Sequence, residues 1–510
     1  MNWLNAIVDE LLRLHPEGEV VVSSGVSPSG TYHLGTLREV LTAEVIAREV
    51  RRRGRTAKHI HVADDLDVFR KVPVNVPAEF EQHLGKPLCD VPAPDGSDRS
   101  YADFFLADLL ETAEDLRLDM EIVKAHEKYR AGFFVPAIET ALANIVTIRG
   151  ILEKISGRKL DEQWSPVQVI EDGYLKNRKF ISIDTVKKEI TYEDVEGQPQ
   201  VISYAAGQVK LNWRIDWPAR WALLGVNAEP FGRDHATKGG SYDTGAAIVR
   251  EVFQAEAPLS IPYNFINRTG DTKKMSKSAG DTFTAVELLQ ILPAELVWFF
   301  ILRYSPDKLL FFDDTDTLTR LFDEFGELLA KTDKTPQEQQ LVELCQQGIE
   351  TPTVSRIPFS HLVASYQAAL KDPRKTLEVM RRTEHAAAVD QDEEIIKAEL
   401  RFIDNWLKTS ASEEVVFNIL ETTDGGQFSE AQKTFFARLA EKIEQAPAGA
   451  DGAWFHQAIY EFKDQSELQP KELFTSLYQL TIGKDSGPRA GWFLSILPRD
   501  WLIKRLRLTK

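Results

Sequence analysis

Two short stretches, about 240 residues apart, carry the side chains that phosphate chemistry needs. The first is SGVSPSGTYHLGT, residues 24–36. It follows the Val-rich run EVVVS and precedes Leu37, Val40, Leu41 and Val45, whose spacing is helical. A strand that passes through a glycine-rich turn into a helix presents that helix's unpaired N–H groups, which suit an anion. Gly30 and Gly35 let backbone or ligand approach where a Cβ would clash. His33 and Thr36 can donate hydrogen bonds, and Pro28 and Ser29 shape the turn. The second stretch is DTKKMSKSAGD, residues 271–281. Lys274 and Lys277 are three residues apart, so both amines can reach one anion. Ser276 and Ser278 add hydroxyls, and Met275 sits between the lysines. Such a loop can wrap a triphosphate.

The pairing of P-S-G-x-x-H-x-G with K-M-S-K-S resembles the two signatures of class I aminoacyl-tRNA synthetases. His33 and Gly35 match the first, and Lys274 to Ser278 match the second without a substitution. Thr36 stands where the first signature usually closes on His or Asn. Further stretches, ADDLDVFRKVP (63–73), LNWRIDWPARW (211–221), FGRDHATKGGSYDTG (231–245) and FFILRYSPDKLLFFD (299–313), resemble the class I form of lysyl-tRNA synthetase. The resemblance implies that lysine and ATP react to lysyl-adenylate and that lysine then passes to the terminal ribose of tRNA(Lys). It also implies that tRNA is needed for activation. Mg²⁺ would accompany ATP. His33, Lys274 and Lys277 would stabilise charge on the phosphates, with Pro28, Ser29, Gly30, Gly35, Thr36, Met275, Ser276 and Ser278 completing the nucleotide site. Catalysis of this kind is positioning and charge stabilisation, with no protein nucleophile.

A lysine ε-ammonium requires carboxylates or other acceptors, because burying it unpaired is costly. Asp65, Asp234 and Asp243 are the candidates, with Tyr242 beside the last. The resemblance places Gly25, Ser27, Trp213 and His235 at the amino-acid pocket. Other roles compete. Trp213, Trp217 and Trp221 form one helical stripe, of which at least one belongs to the core. The acids of ADDLD can cap the helix that follows, and His235 can be a hydrogen-bonded loop residue.

The elements that must position these groups emerge from the pattern. Strand, helix and strand within 19–65 make a βαβ unit and a parallel sheet. Residues 74–100 read as irregular, 101–157 as helices, and 165–205 as a β-rich insertion. After 281 the pattern is helical to the end. With the resemblance, the fold is α/β: a Rossmann-like parallel-sheet catalytic domain with a small insertion domain, then an all-α C-terminal anticodon-binding domain. The expected boundaries are 1–74 and 209–275 for the two catalytic halves, 75–208 for the insertion, 276–328 for the lysine loop and stem-contact helices, and 329–510 for the helical domain.

Composition limits the alternatives. The 510 residues carry a net charge of −17, which argues against unspecific coating of nucleic acid. RRRGR (51–55) and the tail PRDWLIKRLRLTK are local basic runs: either phosphate-binding surface or solvated helix ends. With two cysteines, a disulfide framework is not expected. No run has the length of a membrane helix, and no signal or transit pattern opens the chain. A cytoplasmic enzyme, monomeric and without membrane contact, is expected. Many members of the resembled family bind zinc through paired C-x-x-C motifs in the insertion. Residues 156–210 contain neither Cys nor His, so no structural zinc is expected there, and no resident metal site. In the tail domain, Trp406, Phe435, Phe436, Trp454, Tyr460, Phe462 and Phe474 read mainly as core, with base stacking as the alternative. A paralogue with another acceptor or a restricted tRNA set, and an RNA-binding pseudo-enzyme, are the competing functions. The intact lysine loop and His33 oppose the latter.

Overall fold

The structure, a computed structural model, describes residues 1–270, 283–349, 351–462 and 468–509. The chain forms two compact units: residues 1–289, 300–312 and 339–347, and residues 290–299, 313–338 and 348–510.

In the first unit, helix α1 (Asn2–Leu14) buries Leu4, Val8 and Leu11, an i, i+4, i+7 stripe. The Val-rich run becomes β1 (Val20–Val26), and α2 (Leu34–Arg52) comes after the turn. Gly54, at φ +82°, ends that helix region in the left-handed conformation that favours glycine. Strand β2 (Ala57–Ala63) and helix α3 (Tyr101–Asp115) lead to β3 (Met120–Lys124). Helix α4 (Trp213–Leu224), β4 (Ala228–Gly232), α5 (Ser241–Glu251) and β5 (Leu259–Tyr263) complete the layer. The sheet is all parallel, in the order β5-β4-β1-β2-β3. Parallel strands covered on both faces read as continuous apolar runs, which is how β1 was legible. Successive strands run outward from β1 in both directions, so the crevice between the carboxyl ends of β1 and β4 is the place where such sheets bind ligands.

Two elements depart from the sequence pattern. Met120–Lys124 lies in a stretch read as helical, and within the span given to the insertion, yet it is the edge strand of the main sheet. Only Val123 in it is buried, so it lacks a strand's apolar signal. Leu310–Phe312, also in a stretch read as helical, pairs in parallel with Ile266–Arg268.

A polar clamp locks β1 to its neighbours. Ser24 Oγ lies 2.8 Å from both His59 Nε2 and His61 Nδ1, and His59 Nδ1 lies 3.0 Å from Glu44 Oε2 of α2. The order Ser–His–Glu resembles a hydrolytic triad, but all four side chains are buried. Buried networks of linked hydrogen bonds rigidify the core around them.

The insertion is β-rich, as its alternating pattern indicated. Val167–Glu171 pairs antiparallel with Tyr174–Asn177 and Val209–Leu211, and Glu189–Glu193 with Lys179–Asp184 and Pro199–Ser203. Val167, Val169, Ile190, Tyr192, Tyr204 and Val209 join one core with Ile138 and Ile148 from the preceding helices.

The second unit is helical. Its longer helices include Asp316–Ala330, Ala386–Thr409, Glu430–Glu444 and Pro470–Ile482. Trp406, Phe435, Phe436 and Phe462 are core. Among the described residues no single helix is long and apolar enough to cross a membrane.

Glu399, buried in helix Ala386–Thr409, accepts the Ser355 N–H at 2.7 Å. Burial, reinforced by nearby Glu295 and Asp323, pushes its carboxyl up to about 8. The unfolded chain, with an ordinary Glu, releases this proton near pH 4.5, while the folded chain keeps it. Stability therefore falls as pH rises from about 4.5 to 8, by up to ~1.4 kcal/mol per pH unit. Glu399→Gln is expected to flatten that slope. Thermal melts at about pH 5 and about pH 8 check it: equal losses in variant and parent rule the assignment out.

Candidate active site

The glycine-rich turn is built around His33, which caps α2. Its Nδ1 accepts the Gly35 N–H at 2.9 Å. A Cβ on Gly35 would sit 2.7 Å from the imidazole Cε1, so the glycine is a steric necessity of this cap. Tyr101 donates to the Ser29 carbonyl at 3.2 Å and holds the other side of the turn. Lys274, Met275, Ser276, Lys277 and Ser278, expected at the phosphates, lie outside the described residues. On the carboxyl-terminal side of that loop, Thr284 pairs with His33 in an antiparallel bridge, and the Ala285 N–H donates to the Tyr32 carbonyl at 3.0 Å. The segment leaving the lysine stretch thus runs alongside the histidine turn.

Beside this turn, at the carboxyl ends of β1 and β4, lies a cavity of about 470 Å³. Gly25, Val26 and Ser27 form one wall, and a Cβ on Gly25 would press on the Val62 carbonyl at 3.0 Å. Trp213 and Trp217 of α4 form another, with His235 edge-on to both at 6.2 and 5.7 Å. Trp221, the third of the stripe, is core.

The lining is acidic: Glu39, Asp64, Asp67, Asp216, Glu229 and Asp234 against Arg70 and Arg220. Most of these charges are already matched. Asp64 receives Lys210 at 3.1 Å and Arg220 at 2.8 Å, and Arg220 also pairs with Asp216. Burial works against ionising Asp64, but the Arg220 and Lys210 charges win and hold its carboxyl at about 2. Two acids and two cations cancel, as buried charges must. Asp67 pairs with Arg70 and accepts from Ser27 Oγ at 2.9 Å. Glu39 accepts the Gly25 N–H at 2.9 Å and the Tyr263 hydroxyl at 2.7 Å. Glu229 accepts the indole N–H of Trp217 at 3.1 Å and that of Trp221, and makes no ion pair among the described residues. Its burial raises its pKa against those two donors.

Of the expected amino-acid-pocket residues, Gly25, Ser27, Trp213, Asp234 and His235 line this cavity. Asp65, Tyr242 and Asp243 do not. Asp65 turns away and takes the backbone N–H and Nδ1 of His126 at 2.8 and 2.5 Å, in the distant helix Ala125–Arg130 and not in the helix that follows its own strand. Tyr242 lies behind Phe231 and donates to the Pro258 carbonyl. Asp243 is exposed and accepts the Gly239 N–H. Sequence reasoning missed Glu39, Asp216, Arg220, Glu229 and Tyr263. The i,i+4 pair Asp216–Arg220 was a readable signal; for Glu39 and Glu229 there was none.

The arginines of the two basic runs are occupied internally. Arg55 donates to the carbonyls of Pro16, His15 and Gly18, and Arg52 and Arg53 grip Glu49. Arg505 is buried on the carbonyls of Leu420 and Glu421, and Arg507 pairs with Glu444.

A family model described as tRNA synthetases class I (K) matches residues 1–347. The chain is 35% identical to Lysine--tRNA ligase 1 of Methanosarcina acetivorans, over 99% of this chain and 98% of that protein. It is 33% identical to the Lysine--tRNA ligase of Archaeoglobus fulgidus, over 99% of each. Among solved structures, a glutamate tRNA ligase from Elizabethkingia meningosepticum aligns with a TM-score of 0.46 and 12% identity, covering 96% of this chain and 98% of that one.

Proposed function

The chain belongs to the class I (K) tRNA synthetases, and from that premise we propose that it attaches L-lysine to tRNA(Lys) in two steps. The lysine carboxylate attacks the α-phosphorus of ATP, and the bond to pyrophosphate breaks. The terminal ribose hydroxyl of tRNA then attacks the lysyl carbonyl, AMP leaves, and the hydroxyl proton is released. ATP enters as its Mg²⁺ complex. Activation depends on tRNA.

One observation carries the lysine reading: the cavity at the strand ends holds more carboxylates than cations. A cationic side chain completes that balance, whereas an anionic one would add to its repulsion. Gly25, Ser27, Trp213, Asp234 and His235 form the amino-acid site, and Glu39 and Glu229 receive the ε-ammonium. His33, Lys274 and Lys277 hold the phosphates as charge develops, with Pro28, Ser29, Gly30, Gly35, Thr36, Met275, Ser276 and Ser278 around them. Asp65, Tyr242 and Asp243 support these groups without touching lysine. Apolar packing in the insertion takes the structural role that zinc has in other members. The enzyme acts as a cytoplasmic monomer.

Lysine-dependent ATP–pyrophosphate exchange, with and without tRNA, tests the proposal. Exchange with lysine alone among amino acids, in the presence of tRNA(Lys), is expected. Exchange only with a different amino acid sinks the lysine assignment, and none with any tRNA favours the pseudo-enzyme.

The helical unit receives the anticodon. The exposed rings of His456 and Tyr460 group with the half-buried Phe474, 4.7 to 6.0 Å apart, and Tyr460 is 43% exposed. Base stacking on such rings is worth ~1–3 kcal/mol per base. Tyr460→Ala and Phe474→Ala should weaken tRNA(Lys) binding about tenfold in a filter or fluorescence titration, leaving the KM for ATP unchanged. Unaltered tRNA affinity in both would move the anticodon site elsewhere.

A further inference from the structure

The helical unit brings three ligand-type side chains together. His361 lies in helix Phe359–Ala368, and Glu384 and His385 stand just before helix Ala386–Thr409. His361 Nδ1 and His385 Nε2 are 2.7 Å apart, and Glu384 Oε1 is 3.7 Å from His385 Nε2. One donor atom from each residue lies within 4.8 Å of the other two. The His361 ring is held by stacking on Trp492 at 4.1 Å and 18°. The His385 backbone N–H is fixed by Thr383 Oγ at 3.2 Å.

We propose that His361 Nδ1, His385 Nε2 and the Glu384 carboxylate bind one divalent transition ion of the Zn²⁺ type, with water in the fourth position. The chemistry is that of the donor set: two imidazoles and one carboxylate suit a borderline ion and not Ca²⁺ or Mg²⁺, which take oxygen shells. Bonds of ~2.0–2.1 Å place tetrahedral neighbours ~3.3 Å apart. The glutamate–histidine spacing is near that value, and the two imidazoles need only open slightly. Arg489 faces His361 and opposes a cation, and Glu384 offsets it. The ion clasps the start of one helix to the flank of another. Sequence spacing hid the site, because the ligands come from positions 361 and 384–385.

The test uses the full chain, freed of metal with a chelator and then titrated with Zn²⁺ by calorimetry, with Co²⁺ as a spectroscopic probe. One equivalent should bind with micromolar or tighter affinity, Co²⁺ should show tetrahedral d–d absorption, and Zn²⁺ should raise the unfolding temperature. His361→Gln and His385→Gln should each lower affinity at least ~10–100-fold, by comparison with losses from weaker outer-shell changes. Circular dichroism establishes that each variant is folded. Should either fail to fold, Glu384→Gln is read instead, with a loss of the d–d bands expected. No binding, or binding unchanged in these variants, overturns the proposal and leaves a plain imidazole–imidazole hydrogen bond.

Discussion

Replacing His33 with asparagine lowers the kcat of lysine-dependent ATP–pyrophosphate exchange by ~10²–10³-fold, the effect of removing one preorganised donor from a developing anion. The choice of asparagine matters. His33 has two jobs, since its Nδ1 accepts the Gly35 N–H at the start of α2. Asparagine is among the best helix caps, so His33→Asn keeps that bond while removing the imidazole. His33→Ala removes both and should lose ~1 kcal/mol of stability in addition. Because the lost interaction is stronger in the transition state than in bound ATP, the KM for ATP should change little. Parental kcat in His33→Asn would remove the imidazole from the chemistry and leave it a cap.

That the turn was legible, while much of the cavity was not, has a physical cause. A βαβ unit announces itself locally: apolar run, glycines, helical spacing. The steric demand on Gly35 and the burial of β1 act within a few residues of each other in sequence. The cavity's acids obey no such local rule. In ADDLD, Asp64 faces the ion network, Asp65 faces His126 and Asp67 faces Ser27. Adjacent carboxylates at a strand end point in different directions, and composition cannot sort them. Glu39 and Glu229 come from a helix and a strand far apart in sequence, and only the sheet order brings both to one crevice. The arginine runs mislead for a related reason: Arg55 and Arg505 look like phosphate ligands until the carbonyls they fill are seen. The edge strand β3 was hidden because a single buried residue gives no period.

The second large effect concerns the seat of the lysine ammonium. Lys210 and Arg220 neutralise Asp64 and Asp216, and Arg70 pairs with Asp67; on the proposed reading the ammonium is received by Glu39 or Glu229, with the exposed Asp234 as the alternative at the cavity. Of these, Glu229 is buried against two indoles with no ion pair among the described residues, a costly state that an incoming ammonium relieves. Glu39→Gln and Glu229→Gln keep the shape and remove one charge each. A hydrogen bond to a charged group is worth ~1.5–3 kcal/mol, so the KM for lysine should rise ~10–100-fold, with kcat changed far less. The larger of the two effects marks the ammonium's seat. Discrimination against norleucine, which has no ε-ammonium, should collapse in that variant. The raised pKa of Glu229 adds a pH signature. Its ionised form is the one that attracts lysine, so affinity should strengthen as pH rises through its titration, and Glu229→Gln should abolish that dependence. Parental KM and parental pH dependence in both variants would place the ammonium at Asp234, on the rim instead of in the crevice.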